Sequence, residues 1–128
     1  MFVAFEGVDR SGKSTLATRL VEALVAEGTP AELLGHSARP LDFKSRHAMH
    51  LAFAAERWEM EPAIATKLAA GVTLVAGRWS YSNMAYSSAM GLDSAWCEAA
   101  EVGLPKPHLC VYLAEDPRVL RDRPGFGT

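Results

Sequence analysis

The chain has 128 residues, enough for one domain of ordinary size and too few for two. Hydrophobic residues make up 49% and charged residues 22% of it, a balance that excludes a disordered, collagen-like or low-complexity protein. Thirteen Lys and Arg against fifteen Asp and Glu give a formal net charge of −2, so no overall basic field attracts nucleic acid.

The sequence also indicates the compartment in which the protein is found. No apolar run approaches the ~20 residues that a membrane-spanning helix needs, and residues 1–6 lack the features of a signal peptide. Cys97 and Cys110 are too few for a disulfide scaffold and lack metal-ligand spacing. We read both as structural, Cys97 in a helix and Cys110 in a buried strand. We therefore expect a cytoplasmic protein with no membrane and no nucleic-acid partner.

Short apolar runs alternate with helical patterns along the chain, which is typical of a parallel α/β sheet. The predicted strands occupy residues 1–6, 31–34, 72–76 and 109–113.

Capping and breaking residues give the predicted helix boundaries. Gly28 is suited to end the first helix, and Asp42 is suited to cap the second. Pro62 fits the first turn of a separate short helix that Gly71 closes, while Pro124 prevents the last helix from continuing. The predicted helices occupy residues 13–27, 43–60, 62–71 and 79–90, with a short one beginning at 116–117.

The strongest chemical signal is a phosphate-binding loop. Residues 7–14 read G-V-D-R-S-G-K-S, which matches G-x-x-x-x-G-K-[ST] between a predicted strand and a predicted helix. Its glycines allow several backbone N–H groups to face one anion, Lys13 reaches the β/γ-phosphates, and the Ser14 hydroxyl is a predicted Mg²⁺ ligand. A plain glycine turn that caps a helix is the alternative. The predicted ATP phosphate-binding residues are Gly7, Ser11, Gly12, Lys13, Ser14 and Thr15.

Around this loop the chain resembles a known family. Residues 5–15, F-E-G-V-D-R-S-G-K-S-T, resemble the thymidylate kinase family in its eukaryotic-type form, which carries an arginine inside the loop. Further resemblances follow in the family's order, at residues 33–39, 51–58, 77–86 and 103–117. The resemblance implies a P-loop NTPase fold of the nucleoside monophosphate kinase type, with three layers and helices on both faces of a parallel sheet. It implies a single domain over residues 1–128, with a lid that begins at about 121–128.

The resemblance also implies an activity, the transfer of the γ-phosphoryl group of ATP to dTMP, with Mg²⁺, in a protein that is commonly a homodimer. It implies that Arg10 acts as an internal arginine finger. The implied catalytic residues are Arg10, Lys13 and Arg78. The implied dTMP-binding residues are Asp9, Arg39, Phe53, Arg57, Arg78, Ser82 and Tyr86.

Residue chemistry supports these roles independently. Phe53 and Arg57 lie four residues apart on one helix face, where a ring and a forked donor suit a flat base with carbonyl oxygens. A core phenylalanine beside a surface arginine is the alternative. Arg39 and Arg78 both follow strand ends, where an arginine can grip a monophosphate bidentately. We expect His47 and His50, which are three residues apart without a nearby pair of acidic ligands, to lie on a helix surface rather than in a metal site.

Two features depart from the family pattern. The family's D-R-Y segment reads G-R-W at residues 77–79, so Gly77 replaces a carboxylate that would orient Mg²⁺ or the acceptor phosphate. Glu6, on the neighbouring strand end, is a hypothetical partial substitute. The sequence also stops within the expected lid, so from these residues we expect no counterpart to the family's last strand and helices. A nucleotide-binding homologue with little catalysis and a deoxynucleoside kinase remain alternatives, the latter disfavoured by a pair of arginines suited to an acceptor phosphate.

Overall fold

The computed structural model describes residues 1–35 and 42–124, and the described residues form one parallel sheet flanked by helices. The strands are β1 (Phe2–Gly7), β2 (Ala31–Leu34), β3 (Thr73–Gly77) and β4 (Leu109–Leu113). The helices are α1 (Lys13–Ala26), α2 (Arg46–Ala69), α3 (Ser80–Ala89), α4 (Ser94–Ala99) and α5 (Pro117–Arg121). The strand order is β2-β3-β1-β4 and every pair is parallel, which confirms the four predicted strands and the α/β class.

The sheet has an apolar core on each face, because successive side chains of β1 point to opposite sides. Phe2 and Ala4 pack with Ile64 of α2, whereas Val3 and Phe5 pack with Ala17 of α1. Helices therefore cover both faces, as predicted, and the two central strands are almost fully buried. Parallel pairing also brings the carboxyl ends of β1 and β3 to one edge of the sheet, where residue 5 pairs with residue 77.

The second helix differs from the prediction. Helix α2 begins after Ser45, whose side chain accepts a hydrogen bond from the Ala48 N–H at 3.2 Å, so the predicted cap at Asp42 is wrong. It then continues through Pro62, so the predicted break into two helices is also wrong. Ile64 is fully buried on the sheet, with side chains one turn before and after it on the same face. This burial outweighs the one backbone hydrogen bond that proline removes.

The remaining elements largely match their predictions. Helix α3 and the start of α5 at Asp116 lie where the sequence indicates. The prediction for Cys97 is confirmed, because it is buried in a helix, α4. This helix was not among the predicted ones, since six residues are too few to show a helical hydrophobic period. Cys110 lies in a strand but is exposed, because β4 has no strand beyond it among the described residues. No helix in residues 1–35 or 42–124 is long and apolar enough to cross a membrane.

Replacing Pro62 with alanine tests the cost of the proline within α2. We expect Pro62→Ala to restore a backbone donor and to raise the free energy of unfolding by about 1–2 kcal/mol, part of the ~3 kcal/mol an interior proline costs. Thermal and urea unfolding measure the change, with Glu59→Ala as an exposed control in the same helix. A loss of stability in Pro62→Ala would mean that the proline itself is needed for α2 to pack on the sheet.

Candidate active site

The phosphate loop joins β1 to α1 and depends on two glycines. Gly7 has a φ of 146°, and a Cβ atom there would lie 2.7 Å from the carbonyl oxygen of Leu113 in β4. Gly12 precedes α1 with a φ of 96°, a left-handed conformation that few side chains adopt. The glycines of the motif are thus required by a close backbone approach at one end and by a left-handed turn at the other.

Lys13 is the buried cation of the loop. Its ammonium group donates hydrogen bonds to the Val8 carbonyl and, at 3.2 Å, to the Ser11 hydroxyl. Burial lowers the pKa of Lys13 below its usual value, and the positive charge of Arg78 lowers it further. The carboxylates of Asp9 and Glu6 act in the opposite direction. Positive and negative side chains therefore surround the lysine at the end of β1, where it can bind an anion at the loop.

Arg10 links the phosphate loop to the segment after α5. Its backbone is left-handed, with a φ of 64°, and its guanidinium donates to the carbonyl of Arg123 at 3.2 Å. The Arg123 guanidinium in turn donates to the carbonyl of Arg10 and, at 3.0 Å, to Glu115. Two arginines thus hold each other's backbone, and this reciprocal contact fixes the outer part of the loop.

Arg78 follows β3 and faces the same sheet edge. It forms an ion pair with Asp9, and its guanidinium carbon lies 5.3 Å from the centre of the Tyr86 ring. Its φ of 102° is unusual for a residue with a side chain and costs on the order of 1–3 kcal/mol. Strain of this kind at a strand end, on a residue that carries a charge into a cavity, is typical of a functional position.

Both oxygens of the Glu6 carboxylate are hydrogen-bonded to the start of α3. One of its oxygens accepts a hydrogen bond from the Trp79 N–H at 2.8 Å, and the other accepts one from the Ser82 hydroxyl. Glu6 is also buried. It therefore anchors the start of α3 to β1, an arrangement that does not favour the hypothesis that it replaces the carboxylate missing at Gly77.

A cavity of about 490 Å³ opens between α2 and α3 beside this edge. Five of the seven side chains predicted to bind dTMP line it: Phe53, Arg57, Arg78, Ser82 and Tyr86. Asp9 reaches it through its ion pair with Arg78, and Arg39 lies outside the described residues. A second cavity of about 340 Å³ shares Ser82 and Tyr86 with the first and extends to Gly7 in the phosphate loop. The two cavities are therefore adjacent, one beside the loop and the other beside the predicted acceptor residues.

Three residues of this region have no predicted role. Glu101 forms a buried ion pair with Arg57, and Asn83 donates a hydrogen bond to Glu101 at 2.8 Å. The surface prediction for His50 is wrong: it is buried, with Nδ1 2.6 Å from the Ser87 hydroxyl and Nε2 2.9 Å from the Cys97 carbonyl. Because a carbonyl only accepts, Nε2 carries the proton. The two His50 contacts join α2 to residues 37 and 47 positions away, so no local sequence pattern signals them.

The Ser14 hydroxyl is the protein group here that suits a magnesium ion. Ser14 is exposed at the start of α1, next to Gly77, whose missing Cβ would lie 4.0 Å from the Ser14 hydroxyl oxygen. Among the residues that the structure describes, no three His, Cys, Asp or Glu side chains are grouped to hold a metal. A single hydroxyl fits Mg²⁺, since this ion usually keeps several waters and binds mainly to substrate phosphates.

Comparison with known proteins identifies the family. The family model described as thymidylate kinase matches residues 5–127. The chain belongs to the thymidylate kinase family. It is 44% identical to the human thymidylate kinase over 127 residues, which is 87% of this chain and 59% of that protein. It is 41% identical to the thymidylate kinase of Arabidopsis thaliana over 98% of this chain and 52% of the relative.

A solved structure supports the same assignment. The thymidylate kinase of Candida albicans superimposes with a TM-score of 0.82 at 28% identity, over 98% of this chain and 68% of that one. The fold prediction is thereby confirmed as that of this P-loop kinase family. The chain spans about half to two thirds of the length of the relatives that it matches.

Replacing Lys13 with methionine separates its binding role from its cost to stability. We expect Lys13→Met to abolish ATP binding while leaving the free energy of unfolding unchanged or raised, because a buried ammonium is removed. Folding lowers the pKa of Lys13, so the destabilisation from its buried ammonium is complete below the folded pKa. It disappears as the pH rises to the ordinary lysine pKa of 10.5. Urea unfolding between neutral and alkaline pH measures this convergence of variant and wild type. A variant that is less stable at neutral pH would contradict it.

Proposed function

We propose that this protein transfers the γ-phosphoryl group of ATP to dTMP, giving dTDP and ADP. The observation that supports this most directly is that the phosphate loop and the acceptor cavity lie side by side at one edge of the sheet. The loop suits a triphosphate, and the cavity combines an aromatic ring, a forked donor and a phosphate-binding arginine. Membership of the thymidylate kinase family supports the same reaction.

On the donor side, we assign ATP to the loop at residues 7–15. The backbone N–H groups and the Lys13 ammonium bind the β- and γ-phosphates, exchanging the lysine's present hydrogen bonds to Val8 and Ser11 for phosphate oxygens. Ser14 would hold Mg²⁺, which neutralises charge that develops on the phosphates. Catalysis here is positioning plus electrostatic stabilisation, with no covalent intermediate on the protein.

On the acceptor side, we assign the thymine base to the end of the cavity formed by Phe53 and Arg57. Phe53 stacks on the base, and a guanidinium that can only donate hydrogen bonds pairs with a base carbonyl. Arg78 binds the monophosphate together with Arg39, while Asp9 and Tyr86 face the sugar. This arrangement would present a phosphate oxygen of dTMP to the γ-phosphorus of ATP.

Arg10 is the proposed group that stabilises the transferring phosphoryl. It lies inside the loop, and it would exchange its hydrogen bond to the Arg123 carbonyl for an oxygen of the γ-phosphoryl group. A cation placed in this way is worth several orders of magnitude in turnover in related phosphoryl transfers.

A second candidate function, nucleotide binding with little catalysis, is favoured by Gly77. Glycine supplies neither a second-shell ligand for Mg²⁺ nor an acceptor for the substrate phosphate, and Glu6 is bonded to α3 instead. A deoxynucleoside kinase is less well supported, because an uncharged acceptor leaves Arg78 without a phosphate to bind.

Coupled detection of ADP with Mg²⁺, ATP and dTMP tests the proposal, with Lys13→Ala as the inactive control. We expect ADP formation that requires dTMP and disappears in Lys13→Ala. Saturable dTMP binding to the folded protein without turnover would support the binding homologue instead. Turnover with thymidine but not with dTMP would support the deoxynucleoside kinase.

A carboxylate at position 77 tests the effect of the glycine. A Cβ atom at Gly77 has no neighbour nearer than 3.9 Å, so Gly77→Asp fits without displacing Ser14. We expect it to raise turnover by about tenfold or more, the effect typical of an outer-shell carboxylate at a metal site. Gly77→Asn is the matched control, since it has the same shape without the charge. Equal turnover in both variants would show that the carboxylate is not what the site lacks.

The compartment and the oligomeric state also belong to this proposal. Two free cysteines, one of them exposed, support a reducing cytoplasmic compartment. The homodimer remains a prediction from the family resemblance.

A further inference from the structure

We infer that Glu101 is a positioning residue that holds the Arg57 guanidinium toward the base of the acceptor nucleotide. This inference rests on the proposed function, since it concerns how the same cavity recognises its substrate. Glu101 lies in the loop between α4 and β4, 44 residues from Arg57 in sequence.

The ion pair between the two residues has a fixed geometry. The Nε of Arg57 donates to one oxygen of Glu101 at 3.0 Å, and Nη2 donates to the other oxygen. Both side chains are buried, with 6% and 3% of their surface exposed. A bidentate contact of this kind locks the guanidinium plane, because rotation about the side-chain bonds would break both hydrogen bonds.

One guanidinium nitrogen remains for a ligand. Within the described residues, nothing accepts a hydrogen bond from Nη1 of Arg57. No side-chain nitrogen or oxygen among those residues is both fully buried and without a partner, so Nη1 is reached from the cavity that Arg57 lines. Glu101 thus neutralises the arginine and directs its remaining donors into the space beside Phe53.

Glu101 is itself held by contacts from α2 and α3. Asn83 donates to the Glu101 oxygen that receives Nη2, at 2.8 Å. The Trp58 indole donates to the Ala100 carbonyl at 2.9 Å, which ties the loop to the helix that carries Arg57. A Cβ atom at Gly103 would lie 3.0 Å from the Trp58 ring, so the loop also packs closely on that ring. Such a supported carboxylate is suited to positioning, since its own location is determined on both sides.

The matched variants are Glu101→Asp and Glu98→Asp. Glu101→Asp keeps the buried charge, so that Arg57 stays compensated, but withdraws the carboxylate by one methylene. Glu98→Asp makes the same change at an exposed site three residues away. Isothermal titration with dTMP and with 2-deoxyribose 5-phosphate, which lacks the base, separates the two ends of the cavity. Unfolding curves establish that each variant is folded.

We expect Glu101→Asp to weaken dTMP binding by about tenfold, the loss typical of one charge-assisted hydrogen bond. Binding of the abasic sugar phosphate should stay unchanged, and Glu98→Asp should match the wild type for both ligands. In an Arg57→Ala background, Glu101→Asp should cause no further loss, since the group that it positions is gone. An equal loss for both ligands, or a further loss without Arg57, would mean a general structural role and would overturn the inference.

The outcomes also separate this inference from the proposed function. A wild type that does not bind dTMP would overturn the proposed function, and the inference with it. A wild type that binds dTMP, loses binding in Arg57→Ala and is unaffected by Glu101→Asp would overturn the inference alone.

Discussion

The buried carboxylate of Glu6 is the interaction on which the geometry of the site depends. It lies at the end of β1, directly before the phosphate loop, and accepts hydrogen bonds from the first residues of the α3 region. Removing a carboxylate from water is costly unless hydrogen bonds compensate, so these bonds are nearly obligatory. They fix the distance and angle between the phosphate loop and the helix that carries Ser82 and Tyr86. The phosphate loop and the acceptor cavity are thereby held at a fixed relative position.

Around this anchor the site combines rigid backbone with paired charges. Gly7 allows β1 to approach β4 closely, whereas Arg78 adopts a strained backbone that the surrounding contacts maintain. Arg78 and Arg57 each have a carboxylate partner, Asp9 and Glu101 respectively. The first pair is partly open to solvent and can exchange its partner for a phosphate, whereas the second is buried and keeps its geometry. The two arginines are therefore suited to different tasks within one cavity.

The sequence was most informative where local chemistry dictates structure. Short apolar runs of four to six residues favour strands, and the four predicted strands are confirmed. The loop motif and the segments at residues 51–58 and 77–86 identified the side chains that meet at one edge. The break predicted at Pro62 was wrong, because local propensity does not include the burial of Ile64 on the sheet. The exposure of Cys110 was missed, because the position of a strand within its sheet is not encoded in its own residues.

By itself, the sequence determined the fold class, the phosphate loop and the family, since these rest on residue types at short, fixed spacings. The tertiary structure alone decided what surrounds those residues. Around the cavity, hydrogen bonds made by Glu101, Asn83 and the buried His50 join segments that are 18 to 47 residues apart. The commitment of Glu6 to α3, rather than to the position opposite Gly77, is likewise a matter of packing. The physical reason is that a buried polar group takes whichever partner the fold brings within hydrogen-bond distance, and sequence separation does not specify that partner.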